Sequence, residues 1–287
     1  MRRFACTAIL FTVLCLKSAA AQTGLLVVAH GADSGWNDRV RATVTQVRWS
    51  RGPVALAFLM GPEVQSAGWD HAIDGLVAAR VTSIIVVPLM VSSFGGHYRE
   101  IEYYAGVSDS MPGNHSMTIR HRPPPVPARV TPALDGAEEL GDALVNRWQE
   151  LSERDRARPL VLVAHGPTDS ADAARWIVNL RTAAAALTRA GLQQPPGVGL
   201  LWDDAKPETR AAAVAALRDT VSTRAQAAGD SVVVLPALIS SGSIDREKLP
   251  QDLEGLPIRY RRSSLTPLPP LARWIERSAE QALNDPL

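Results

Sequence analysis

Leu25-Leu26-Val27-Val28-Ala29-His30-Gly31 is an aliphatic run closed by a histidine and a glycine. Consecutive apolar positions with no polar alternation predict a strand covered on both faces, as in a parallel sheet between helices. Residues 54–59 and 84–89 read the same way, and the segments 37–49 and 65–79 between the runs have helical spacing. Residues 117–121 read as a fourth strand. The proline-rich stretch 123–127 fits neither a helix interior nor a central strand, so it marks a loop. A long helix is expected from about residue 132 to 153.

The pattern then begins again. Leu160-Val161-Leu162-Val163-Ala164-His165-Gly166 copies the opening run, residues 198–201 parallel 54–59, and 232–238 parallel 85–90 with their proline. Residues 258–260 and a terminal helix near 268–283 complete the second set. The reading is an internal duplication: an α/β protein of two lobes, each a mainly four-stranded parallel sheet flanked by helices with right-handed crossovers. The lobes are assigned to residues 22–156 and 157–287, with the boundary near 154–158.

The bulk composition narrows the function. The 287 residues carry 30 Lys+Arg against 29 Asp+Glu, a balance that argues against a nucleic-acid partner. Only Lys17, Lys206 and Lys248 are lysines; arginine, which grips carboxylates with two prongs, supplies the remaining cations. Residues 1–21 read as an export signal: Arg2 and Arg3, a short apolar stretch over 4–16, then Ser18-Ala19-Ala20-Ala21 with cleavage after Ala21. The expected location is the periplasm or the exterior, with no stable membrane insertion once the signal is removed. Both cysteines, Cys6 and Cys15, fall inside that segment, so the mature chain has neither a disulfide nor a thiolate metal site. There is no G-x-S-x-G elbow, which argues against a hydrolase, and neither G-x-G-x-x-G nor a phosphate loop, so no nucleotide is expected.

In a sheet of order 2-1-3-4, ligands sit beyond the carboxyl ends of strands one and three, where strand order reverses. His30 ends strand one. His97 follows strand three in the glycine-rich loop Ser92-Ser93-Phe94-Gly95-Gly96-His97. A single strand-end histidine is most simply a capped structural residue, whereas two facing one crevice form a metal site or an acid–base site. Gly31, Gly95 and Gly96 would let the backbone turn and a bulky ligand approach. His71, His115 and His121 read as solvated side chains, and Trp36 and Trp69 as packing.

The segments 26–31, Val-Ala-Leu-Ala-Phe-Leu at 54–59 and Ile-Ile-Val-Val-Pro-Leu-Met-Val-Ser-Ser-Phe-Gly-Gly-His at 84–97 resemble the CbiX/SirB family of class II tetrapyrrole chelatases. The resemblance implies insertion of cobalt, nickel or ferrous iron into sirohydrochlorin or a related tetrapyrrole, a lyase activity of cobalamin-type biosynthesis, in a cleft between lobes. It makes His30 and His97 the metal-binding and proton-accepting pair, Gly31, Gly95 and Gly96 the ring-facing backbone, and Arg99 a candidate partner for peripheral carboxylates. The divalent metal and the tetrapyrrole are then substrates or ligands. Two departures stand out. Many family members have an acid after the second strand where this chain has Met60-Gly61-Pro62, with Glu63 next in line, and Ser243 stands in the second lobe where a second histidine would. His165 is therefore expected to be a structural relic of a degenerate site. A non-catalytic periplasmic binder of metal, haem or tetrapyrrole is the alternative.

Overall fold

Each aliphatic run lies between two apolar layers, and that burial fixes the architecture. A computed structural model describes residues 22–112 and 123–284. The first sheet comprises β1 (Thr23–Ala29), β2 (Val54–Phe58), β3 (Ser83–Pro88) and β4 (Ala128–Val130), in the order β2-β1-β3-β4. The second repeats it with β5 (Leu160–Ala164), β6 (Gly197–Leu200), β7 (Val232–Pro236) and β8 (Ile258–Tyr260), in the order β6-β5-β7-β8. All pairings are parallel. Along β1, Leu25, Val27 and Ala29 enter the core shared by both lobes. Leu26 and Val28 enter a separate core on the outer face. Leu160, Leu162 and Ala164 on β5 likewise face the shared core, and Val161 and Val163 face an outer one.

The export segment 1–21, the strand expected over 117–121, His115 and His121 lie outside the described residues. The fourth strand of the first sheet is Ala128–Val130, paired with β3 through Ile84↔Ala128. The helix expected over 37–49 runs Ser34–Val44, because the Asp33 side chain accepts from Trp36 N at 2.9 Å and caps it early. The helix expected over 65–79 is broken into Val64–Ala67 and Trp69–Ala78. At the break, Gly68 forms a bridge to Phe58, and a Cβ there would come within 2.2 Å of the Val64 carbonyl oxygen. The helix expected from 132 begins at Glu138, because the Asp135 carboxylate is committed to the Ser93 amide and hydroxyl at 2.8 and 2.7 Å. His71 is exposed, while Trp69 and Trp36 are packed inside.

The lobes are interleaved rather than side by side. The terminal helix Pro269–Asn284 belongs by sequence to the second lobe but packs against β3 and the helix Ser34–Val44 of the first. Helix Glu138–Gln149 packs against helix Ser170–Arg189 of the second lobe. Arg277 on the terminal helix grips Glu139 with two bonds of 2.6 and 2.7 Å. No helix among the described residues is long and apolar enough to cross a membrane.

Gly31 is the residue on which the turn after β1 depends. Its φ is +85°, and a Cβ would lie 2.3 Å from the Met60 carbonyl oxygen. Gly106 has a φ of +74° but open space around it. Gly31→Ala is expected to cost about 2 kcal/mol or more, from strain plus collision. Gly106→Ala should cost about 1 kcal/mol, from the backbone conformation alone. Urea unfolding of the two variants checks the difference, and equal losses would show that the Met60 contact does not constrain this position.

Candidate active site

β1 and β3 are hydrogen-bonded neighbours, so the loops that follow them rise side by side. That places the His30 ring 4.8 Å from the His97 ring, nearly perpendicular at 84°. The His30 Nδ1 lies 2.8 Å from the Gly31 carbonyl oxygen. A carbonyl only accepts, so Nδ1 carries the hydrogen and the Nε2 lone pair is left for chemistry. The His97 Nδ1 lies 3.2 Å from Oε2 of Glu100, a fully buried carboxylate one helical turn later. A carboxylate on Nδ1–H orients the ring and fixes which nitrogen carries the hydrogen.

The second lobe supplies a third imidazole to the same crevice. His165 repeats His30: its Nδ1 is 2.9 Å from the Gly166 carbonyl oxygen, and Gly166 has a φ of +83°. The second residue after the neighbouring strand donates to the histidine carbonyl in both lobes, Met60 N to His30 O at 2.9 Å and Trp202 N to His165 O at 2.7 Å. By that equivalence Pro62 in the first lobe corresponds to Asp204 in the second. Asp204 Oδ2 is 3.5 Å from the His165 Nε2 and 4.0 Å from the His97 Nε2. The acid missing after β2 is therefore present after β6, and it faces histidines of both lobes. The expectation that His165 is a relic is corrected: it stands in one cluster with the first-lobe pair.

Residues 24–151 match the CbiX family model. The N-terminal lobe is a CbiX-family domain. Solved structures share the fold over most of the chain. SirB from Bacillus subtilis with Fe³⁺ is 17% identical, with 92% of this chain and 98% of that chain covered and a TM-score of 0.62. The sirohydrochlorin chelatase SirB from Bacillus subtilis subspecies spizizenii in complex with cobalt is 16% identical, at 92% and 97% coverage and 0.61. CbiX, the terminal enzyme for biosynthesis of siroheme in denitrifying bacteria, is 18% identical, at 90% and 99% coverage and 0.55. At these identities the likeness is one of fold. No curated protein matches the sequence.

The CbiX domain and the second lobe hold each other's loops reciprocally. Arg99, two residues after His97, reaches Asp172 at 2.7 Å and Asp169 at 3.9 Å, at the start of the second-lobe helix Ser170–Arg189. Arg246 reaches back to Asp33, three residues after His30, at 2.5 Å. The Trp176 indole donates to the Phe94 carbonyl in the His97 loop. In mirror fashion Ser240 Oγ donates to the Trp36 carbonyl at 3.0 Å. Arg99 is thus engaged with second-lobe carboxylates, which corrects the assignment of its guanidinium to a ligand.

Other candidates resolve with equal clarity. Glu63 is committed to Asn37 Nδ2 at 2.8 Å and to Arg41. The buried Asn37 accepts from Ala32 N, so this network braces the turn after His30. Gly31 is required by Met60 rather than by a ligand, whereas a Cβ on Gly95 would meet nothing within 4 Å. Gly96 opens the helix Gly96–Tyr104 that carries His97.

Single ligand atoms of His165, Asp203 and Asp204 lie within 4.8 Å of one another, a spacing that could hold a cation. Asp203, however, is taken by Lys248 at 2.5 Å and Arg210 at 3.1 Å. Burial pushes the Asp203 carboxyl up, but those two cations outweigh it and hold it below the usual range. Asp204 is the carboxylate exposed to the crevice.

Sequence reading missed Glu100 and Asp204. The spacing of His97 and Glu100 is a detectable sign, since residues three apart share a helix face. Asp204 could have been found by aligning the two halves, where it falls in the gap left after β2.

Burial, then the neighbouring His97, lowers the His30 pKa from 6.5 to about 4. His165 also lowers it, while the Gly31 carbonyl and Asp204 oppose the shift. His30 is therefore neutral near pH 7. In the unfolded chain it takes a proton as pH falls through its ordinary value, and the folded chain resists until about 4. Stability contributed by this residue is present above the unfolded value and lost as pH falls toward the folded one. Unfolding of chelator-treated protein between pH 6.5 and 4 should show a loss of no more than about 3 kcal/mol from this site. His30→Gln should flatten the profile across that window; an unchanged slope would place the loss elsewhere.

Proposed function

We propose that this protein is a chelatase that inserts a divalent metal, cobalt, nickel or ferrous iron, into sirohydrochlorin or a related tetrapyrrole. The observation that carries the reading is the convergence of three imidazoles and one carboxylate between two CbiX-type sheets. The family match over residues 24–151 supports it, as do fold relatives with cobalt and Fe³⁺, one of them named a sirohydrochlorin chelatase.

Insertion exchanges two pyrrole N–H protons for one M²⁺, so the site must both present a metal and accept protons. His97 Nε2 and His165 Nε2 each lie within reach of Asp204 Oδ2, at 4.0 and 3.5 Å, so the crevice offers imidazole nitrogen and carboxylate oxygen, donors suited to these metals. The carboxylate offsets part of the ion's charge, and the two nitrogens can displace its water. His30, neutral at pH 7 with Nε2 available, is the acceptor for a pyrrole proton. Its depressed pKa makes it a weak base that hands the proton on readily to solvent. Glu100 fixes the His97 tautomer and keeps Nε2 toward Asp204.

We further infer that residues 1–21 direct export and that the mature protein, starting at Gln22, works in the periplasm or outside the cell. N-terminal sequencing of the protein recovered from the producing cell checks this; an intact Met1 would reject it.

Purified protein mixed with sirohydrochlorin and Co²⁺ or Ni²⁺ should change the ring's absorption spectrum faster than metal and ring alone. His97→Ala and His30→Ala should each slow the reaction by about 100-fold. Asp204→Asn and His165→Ala should mainly weaken metal affinity. Equal rates for the wild type and His97→Ala would reject the reading, and stoichiometric binding without turnover would favour a binding protein.

A further inference from the structure

A second concave site lies away from the histidines. A cavity of about 310 Å³ opens between the helix Ser34–Val44, the helix Glu138–Gln149 and the loops after β7 and β8. Five arginines line it: Arg39, Arg147, Arg246, Arg261 and Arg262. Glu150, the acid in its wall, is paired with Arg147 at 2.7 Å and lies 3.8 Å from Arg261. Arg246 is answered by Asp33. Two carboxylates against five guanidinium groups leave a surplus of three positive charges. Among the described residues, Arg39 and Arg262 have no carboxylate partner, and the Arg39 guanidinium donates to the Gly35 carbonyl at 2.7 Å.

An oxyanion has the chemistry that this surplus calls for, because it takes forked pairs of N–H bonds from arginine. The cavity is at the small end of the range for ligand sites.

We propose that this cavity is a binding site for a small multivalent oxyanion, a di- or tricarboxylate or a phosphate group. None of His30, His97, His165 and Asp204 lines it, so it is separate from the histidine crevice.

Calorimetric titration of the purified protein at neutral pH and about 0.15 M ionic strength tests the site, with citrate in one arm and inorganic phosphate in the other. One saturable site per chain is expected in at least one arm, and the tighter arm names the anion's chemistry. Arg39→Gln and Arg262→Gln should each weaken that binding by about tenfold or more. Arg273→Gln, on a surface arginine paired with Asp142 outside the cavity, should leave it unchanged. No saturable binding in either arm would overturn the proposal, as would cavity variants that bind as well as the wild type.

Discussion

The site depends on a reciprocal hold between the two lobes. Each lobe extends an arginine to the start of a helix in the other, Arg99 to Asp172 and Arg246 to Asp33. Each also receives a bond involving the other's tryptophan, through Trp176 and Trp36. Half-exposed ion pairs contribute about 0–1 kcal/mol, so these contacts do not hold the lobes together by their own strength. The apolar core shared by both sheets does that, and it runs from Leu25 through Leu140 and Leu180 to Ile275. What the arginines and tryptophans add is register. They lock the loops after β1, β3 and β5 at one depth, so that Asp204 falls between histidines from different lobes.

Duplication here has produced a division of labour rather than two copies of one site. Both lobes keep the strand-end histidine with its Nδ1 bond to the next glycine carbonyl. The first lobe keeps the loop histidine, His97, and its buried partner Glu100. The second keeps the acid after its second strand. Where the first lobe has Gly61 and Pro62, there is no carboxylate. Where the second lobe has Ser243, the loop is instead closed on itself by Asp245, which accepts from Ser241 Oγ and Gly242 N at 2.6 Å each. Each lobe has lost what the other supplies.

Much of this was legible in the residues, for physical reasons that also explain the failures. The aliphatic runs at β1, β3, β5 and β7 announce themselves because both faces are buried and no alternation is possible. The sheet order and the meeting of His30 and His97 follow from where parallel strands end. β4 was hidden because it is three residues long, Ala-Arg-Val, at a sheet edge where little apolar surface is demanded. The break at Gly68 was hidden because its cause is a strand, β2, far away in sequence. The late start of the helix at Glu138 has the same kind of origin, since Asp135 is bound by Ser93 and by Asn179 of the other lobe. Asp204 was hidden because loop carboxylates are common, and only its position across the crevice distinguishes it. Local pattern thus gave the elements, while contacts between distant segments set their ends and completed the site.

The crossing of the terminal helix has a consequence for biogenesis. Trp274, Ile275 and Ala279 enter the same apolar layer as Val87 and Leu89, so part of the cover over one side of the first sheet comes from a helix that follows β8 in the chain. Until that helix docks, the first sheet keeps apolar surface open, of the kind that makes incompletely folded chains prone to aggregate.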